Sequence, residues 1–103
     1  MKSLIISLEA EMDLNDIWEY IAADSADAAD RFLEKLYDQM LLLAKMPGMG
    51  HVRKDLAESR SILFWPVGNY IILYRCKADC VEIAAIAHGK RDIPSFIRRR
   101  GIP

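Results

Sequence analysis

The residues with chemistry to offer lie late in the chain. His88 ends an apolar run, Tyr70 and Tyr74 lie within the run before it, and Arg75, Arg60 and Lys90 are nearby cations. Cleavage of RNA through its 2′-hydroxyl needs a base, an acid for the leaving oxygen and cations for the charge that builds on phosphorus. His88 would serve as acid or base and Tyr74 or Tyr70 as acid, with Arg75, Arg60 and Lys90 stabilising charge. Each residue also has a plain structural reading. The tyrosines are core residues with wet tips, while His88 and Asp92 fix a loop by hydrogen bonds and Arg91 pairs with Asp92 or another nearby acid. Metal chemistry finds less support. The two cysteines, Cys76 and Cys80, and the two histidines, His51 and His88, are not at zinc-finger spacing. Neither a metal nor a cofactor is expected, and the cysteines read as free thiols.

Whether this set converges depends on the strands that carry it. Ser61–Val67, Tyr70–Cys76 and Cys80–His88 are short runs rich in β-branched and aromatic residues. Gly68-Asn69 suits a tight hairpin turn, and Lys77-Ala78-Asp79 reads as the next loop. These turns set Val67 opposite Tyr70, Phe64 opposite Leu73, Cys76 opposite Cys80 and Leu73 opposite Ile83. One face then carries Ile62, Phe64, Ile71, Leu73, Val81 and Ile83, with Arg75 near its end. The other carries Trp65, Tyr70, Ile72, Tyr74, Glu82, Ile86 and His88. On this register His88 and the tyrosines share a face and Arg75 points away from them. A slip of one residue would exchange the sets.

The elements before the meander are helical. Lys2–Leu8 reads as a first strand at the edge or in the middle of the sheet. From Glu9 the period changes: Leu14, Ile17, Trp18 and Ile21 form a helical stripe, with Trp18 as a core anchor and Asp13, Asp16 and Glu19 off the stripe. Asp24-Ser25 ends this helix and caps a second. The second helix carries Ala29, Phe32, Leu33, Leu36, Met40, Leu43 and Ala44 on one side and stops near Lys45 or Met46, ahead of Pro47. The short link makes an antiparallel αα-hairpin, and the Phe64/Leu73 sheet face is the surface expected to receive it. Pro47-Gly48-Met49-Gly50 is a turn-rich linker, with Asp55-Leu56 pinning a turn beyond it. Ile93–Ile97 forms a short tail helix or turn covering the other sheet face, and Arg98-Arg99-Arg100 reads as a solvated, frayed end.

Length and charge bound the rest. A chain of 103 residues, 52% hydrophobic, is read as a single domain over 1–103 with a real core. No apolar run approaches a membrane span or a secretory signal, so the cytoplasm is the expected location. The formal charge is −1, but residues 1–40 hold ten acids and three bases while residues 41–103 hold five acids and eleven bases. Such asymmetry points to a basic surface facing an acidic or polyanionic partner. Arg53, Lys54, Arg60, Lys90 and Arg91 are the candidates for it.

The order of these elements, with several local patterns, resembles the ParE branch of the ParE/RelE superfamily of type II toxin–antitoxin systems, the plasmid stabilisation family. The matching residues are Asp13-Leu14-x-x-Ile17-Trp18-x-Tyr20-Ile21-Ala22, Ala29-x-x-Phe32, Pro47-x-Met49-Gly50, Val67-Gly68-Asn69-Tyr70-Ile71-Ile72-x-Tyr74-Arg75, Glu82-Ile83 and His88-Gly89-x-Arg91-Asp92. The resemblance covers nearly the whole chain. It implies an α+β fold with two helices on an antiparallel sheet and a ParD-like antitoxin whose tail wraps the toxin. It also implies inhibition of DNA gyrase as the activity, whereas RelE-like relatives cleave messenger RNA on the ribosome. The His-Gly-x-Arg-Asp close is of the ParE-like form, so a gyrase-binding protein is expected rather than an enzyme. The alternative is a ribosome-dependent endoribonuclease using His88, Tyr74 and Arg75.

Overall fold

A computed structural model describes residues 2–102. Strand β1 (Ser3–Ile6) is followed by helices α1 (Leu8–Ala22) and α2 (Ala26–Lys45), a 3-10 turn (Pro47–Met49), strands β2 (Leu63–Val67), β3 (Tyr70–Cys76) and β4 (Cys80–His88), and helix α3 (Ile93–Arg100). The sheet order is β1-β4-β3-β2. β1 therefore lies at an edge, parallel to β4, and the other pairs are antiparallel. This is the α+β arrangement expected.

The local signals explain the boundaries. The first strand is shorter than the apolar run because the Ser7 side chain accepts the Ala10 N–H and starts α1. Ser25 does the same for α2 through the Ala28 N–H. Pro47 stops α2. Gly68, at φ 59°, makes the β2–β3 turn, and the predicted pairs Val67–Tyr70 and Phe64–Leu73 are present.

The β3–β4 register departs from expectation. The Lys77 N–H donates to the Cys80 carbonyl at 2.8 Å, so the loop is Ala78-Asp79 alone and Cys76 faces Val81, not Cys80. A bulge then places Tyr74 opposite Ile83 but Leu73 opposite Ala85, leaving Ala84 as the extra residue. The two one-residue departures add to a shift of two at the end of β4, so His88 lies opposite Tyr70, where the expected register sets Ile86, and the residues there keep their expected faces. At its start only the first departure applies, and the faces exchange. Val81 and Ile83 join the Tyr74 face, and Glu82 moves to the face of Arg75.

That exchange decides which face takes the helices. With Val81 and Ile83 added, the face of Val67, Ile72, Tyr74 and Ile86 becomes the broader apolar floor, and it packs against Leu14, Ile17, Leu36, Met40 and Leu43 of the hairpin. The expectation that the hairpin covers Phe64 and Leu73 is therefore wrong. Phe64 and Leu73 lie on the opposite side, beside Ala85 and Ala87, whose small side chains leave room for a short helix. Ile93, Phe96 and Ile97 of α3 fill that room, so the tail also covers the face opposite to the one expected. Both layers are apolar, so burial stabilises each by roughly 25 cal/mol per Å² of apolar surface removed from water.

Two further expectations change. Trp18 is not a core anchor: it is 38% exposed, and its indole N–H donates to Asp30 Oδ1 at 2.8 Å, tying α1 to α2. Arg98-Arg99-Arg100 is not a frayed end. It forms the last turn of α3, which Asp92 caps through Ser95 and Gly101 closes in the left-handed conformation.

Candidate interaction surface

The groups proposed for RNA chemistry occupy separate places. Tyr74 is fully buried, and its hydroxyl donates to the Pro47 carbonyl at 2.7 Å and accepts the Gly50 N–H at 2.8 Å. Burial pushes its phenol above the usual tyrosine range, against the Gly50 hydrogen bond that lowers it. Tyr74 thus fixes the loop after α2. Arg75 points to the α3 side and pairs with Glu82 at 3.0 Å, with Lys77 joining the same carboxylate at 3.5 Å.

His88 ends β4, where its Nδ1 accepts the Lys90 N–H at 3.1 Å. Nδ1 is thereby held as the acceptor, leaving Nε2 to carry the proton in the neutral ring. The imidazole meets Tyr70 edge-on, with centroids 5.1 Å apart. Both line a shallow cleft of about 180 Å³ with Asp13, Asp16, Tyr20 and Arg91. Burial, and secondarily Tyr20, raise the Tyr70 pKa. The cleft joins one imidazole, two phenols and one guanidinium, but also two carboxylates that would repel a phosphate.

The expected basic residues divide into engaged and free groups. Arg53 is held by Asp55 through two hydrogen bonds, at 2.9 and 2.6 Å, and this pairing lowers the Asp55 pKa. Asp55 therefore pins the turn by gripping Arg53. Lys54 and Arg98 flank a cleft of about 450 Å³ floored by Leu56, Ala57, Pro94, Ile97 and Ile102. Arg60 and Lys90 are exposed. The Arg91 guanidinium lies 4.7 Å from the centre of the Phe96 ring, and Arg100 lies 4.6 Å from it. Among the described residues Arg91 forms no ion pair, so the acid partner suggested for it is replaced by an aromatic face.

The two sides of the sheet consequently differ in charge. Residues 8–45, which build the hairpin layer, hold ten acids and three bases. Residues 89–101, around α3, hold five bases and one acid. Arg98 and Arg99 are exposed members of that cationic side, absent from the expected set because a frayed end would hold no fixed surface. The signal was present: Asp92-x-x-Ser95 ahead and Gly101 behind mark a capped helix, and cations suit its last turn.

Asp13 was missed as well. Among the described residues it is the one buried acid, at 7% exposure, and its carboxylate accepts the Ile86 N–H at 3.0 Å and the Arg100 guanidinium. β1 pairs with β4 only as far as Ile83, so the Ile86 N–H needs this substitute partner.

No described helix is long and apolar enough to cross a membrane. No curated protein matches the sequence. The fold is similar to a solved structure described as the chromosomal ParDE TA system from P. aeruginosa, with a TM-score of 0.72 at 20% identity, covering 85% of this chain and 96% of that one. The family model for the ParE toxin of the type II toxin-antitoxin system parDE matches residues 4–93, from β1 to the first residue of α3. With that match running through every strand and the whole helical hairpin, the chain belongs to the ParE family of type II toxins.

Proposed function

We propose that this toxin acts by binding DNA gyrase and is neutralised by direct contact with a ParD-like antitoxin. The observation that carries this reading is the commitment of two of the three candidate nuclease groups. The Tyr74 hydroxyl is spent on Pro47 and Gly50, and Arg75 is paired with Glu82 on the far side of the sheet. The cationic α3 side, with Lys54, Lys90, Arg91, Arg98 and Arg99, supports a role as the target-facing surface. Arg53 and Arg60 belong to the loop beside it. The acidic hairpin layer faces the other way. The test is a supercoiling assay with folded, purified chain. Inhibition that the antitoxin relieves is expected. A folded sample that leaves supercoiling untouched overturns the reading.

The cleft that joins His88 to Tyr70, Tyr20 and Arg91 favours a second reading, ribosome-dependent cleavage of messenger RNA. It requires that induction of the toxin leaves cut transcripts, and that His88→Ala removes toxicity while antitoxin binding persists. Intact transcripts in growth-arrested cells exclude it.

A further inference from the structure

The sheet has two edges, and they differ in what they offer. At β2 the outward N–H and C=O of Phe64 are both taken by His51, at 2.9 Å each, and Pro66, the other outward residue, offers a carbonyl but no N–H. That edge is closed to a further strand. At β1 the Ser3 and Ser7 N–H groups point inward to β4, so those of Leu4 and Ile6 point outward. The Lys2 N–H, also outward, is covered by the Ala44 carbonyl at the end of α2. Among the described residues no backbone group bonds the outward N–H of Leu4 or Ile6.

Apolar side chains that a lone chain leaves in water surround this open stretch. Ile5 is 48% exposed on the strand itself, Leu8 73% at the start of α1, and Leu41 48% near the end of α2. The charge along the edge is polarised. Lys2 and Lys45 mark one end, and Glu9 and Glu11, in the first turn of α1, mark the other.

We infer that β1 pairs antiparallel with β1 of a second copy of this chain, about a two-fold axis through Ile5. In this register Leu4 of each copy lies opposite Ile6 of the other, and their outward N–H and C=O groups bond to each other on both sides of the axis. The two Ile5 side chains meet at the centre. The cationic end of each edge falls beside the acidic end of its neighbour, and Leu8 of one copy approaches Leu41 of the other. A polarised edge is complementary to itself only in this antiparallel sense, which is why a second copy fits it. The pairing also covers an otherwise open edge strand. A contact this short buries less than a standard interface, so the dimer forms and dissociates with concentration.

The test is sedimentation of the purified chain across a concentration series, read together with amide hydrogen exchange. Wild-type chain shifts from monomer to dimer as concentration rises, and the Leu4 and Ile6 amides gain protection over the same range. Ile5→Lys sets like charges face to face on the axis without touching the β1–β4 ladder, and raises the dimer dissociation constant about tenfold or more. Because Ile5 is half exposed, that variant folds as the wild type does, which its circular dichroism spectrum checks. A chain that stays monomeric, or a dimer that ignores Ile5→Lys and leaves the Leu4 and Ile6 amides unprotected, overturns the inference.

Discussion

The Asp13 carboxylate accepts hydrogen bonds from the Arg100 guanidinium, across 87 residues of sequence, and from the Ile86 N–H. This one side chain joins α1, on one face of the sheet, to the last turn of α3, on the other, at the place where β4 has run out of its β1 partner. Replacing it by alanine strands a backbone donor and leaves a cation that is only about a quarter exposed. Asp13→Ala is expected to lower unfolding free energy by about 2–3 kcal/mol in denaturant titration. Asp13→Asn, which keeps an acceptor for Ile86, is expected to cost less. A double-mutant cycle with Arg100→Met separates the two bonds.

Tyr74 and Gly50 form a second joint, between the sheet and the loop after α2. A Cβ at Gly50 would collide with the Tyr74 hydroxyl and ring. The space a side chain needs is already filled by the group that accepts the Gly50 N–H. Gly50→Ala is therefore expected to destabilise the fold by about 2–3 kcal/mol through overpacking. Tyr74→Phe keeps the ring but leaves the Gly50 N–H without its acceptor and the Pro47 carbonyl with only the weak Cys76 thiol donor at 3.7 Å, at a cost of about 1–2 kcal/mol. Both are read by thermal or chemical unfolding, and Tyr74→Phe is expected to keep toxicity in a cell-growth assay, because the hydroxyl serves the loop.

Much of the fold was legible because short-range rules set it. Ser7 and Ser25 cap helices, Pro47 ends one, Gly68 turns a hairpin, and the apolar periods separate helix from strand. The packing of the faces was not legible. Both faces of the meander are apolar, so alternation alone could not choose between them. The choice rests on a two-residue loop at Ala78-Asp79 and a bulge at Ala84, neither of which has a residue signature here. Asp13 was hidden for a related reason. An acid beside an apolar helical stripe looks like a solvent-facing residue until the chain brings Ile86 and Arg100 to it. His88 and Tyr70 were rightly placed on one face, whereas the neighbours of Arg75 depended on the register.

Acid should loosen α3 before the hairpin layer. Hydrogen bonds from the Ser95 hydroxyl and then its N–H, helped by Arg98 and Arg99, hold the Asp92 carboxyl below the usual aspartate range. A group depressed in the folded state contributes stability above its unfolded pKa and loses it as pH falls through the folded value. Amide exchange across Ile93–Arg100 is thus expected to accelerate below the ordinary aspartate pKa, ahead of exchange in Ala26–Lys45. Asp92→Asn retains an oxygen for the cap but cannot titrate, so its α3 exchange is expected to lose this acid dependence.

Helix α3 also concentrates the charge that the proposed function uses. Arg98 and Arg99 are exposed, while Arg100 is turned to Asp13 and Phe96, so the three adjacent arginines have separate tasks. Reversing Arg98 and Arg99 to glutamate changes the outer field without removing a contact of the core. In a supercoiling assay this double variant is expected to need about tenfold more protein for the same inhibition, and raising salt should weaken the wild type in the same direction. Reversing Arg31 and Lys35 on the hairpin alters net charge equally but lies on the acidic side of the sheet. If both pairs weaken inhibition alike, net charge governs the effect; a loss confined to Arg98 and Arg99 assigns target contact to the α3 side.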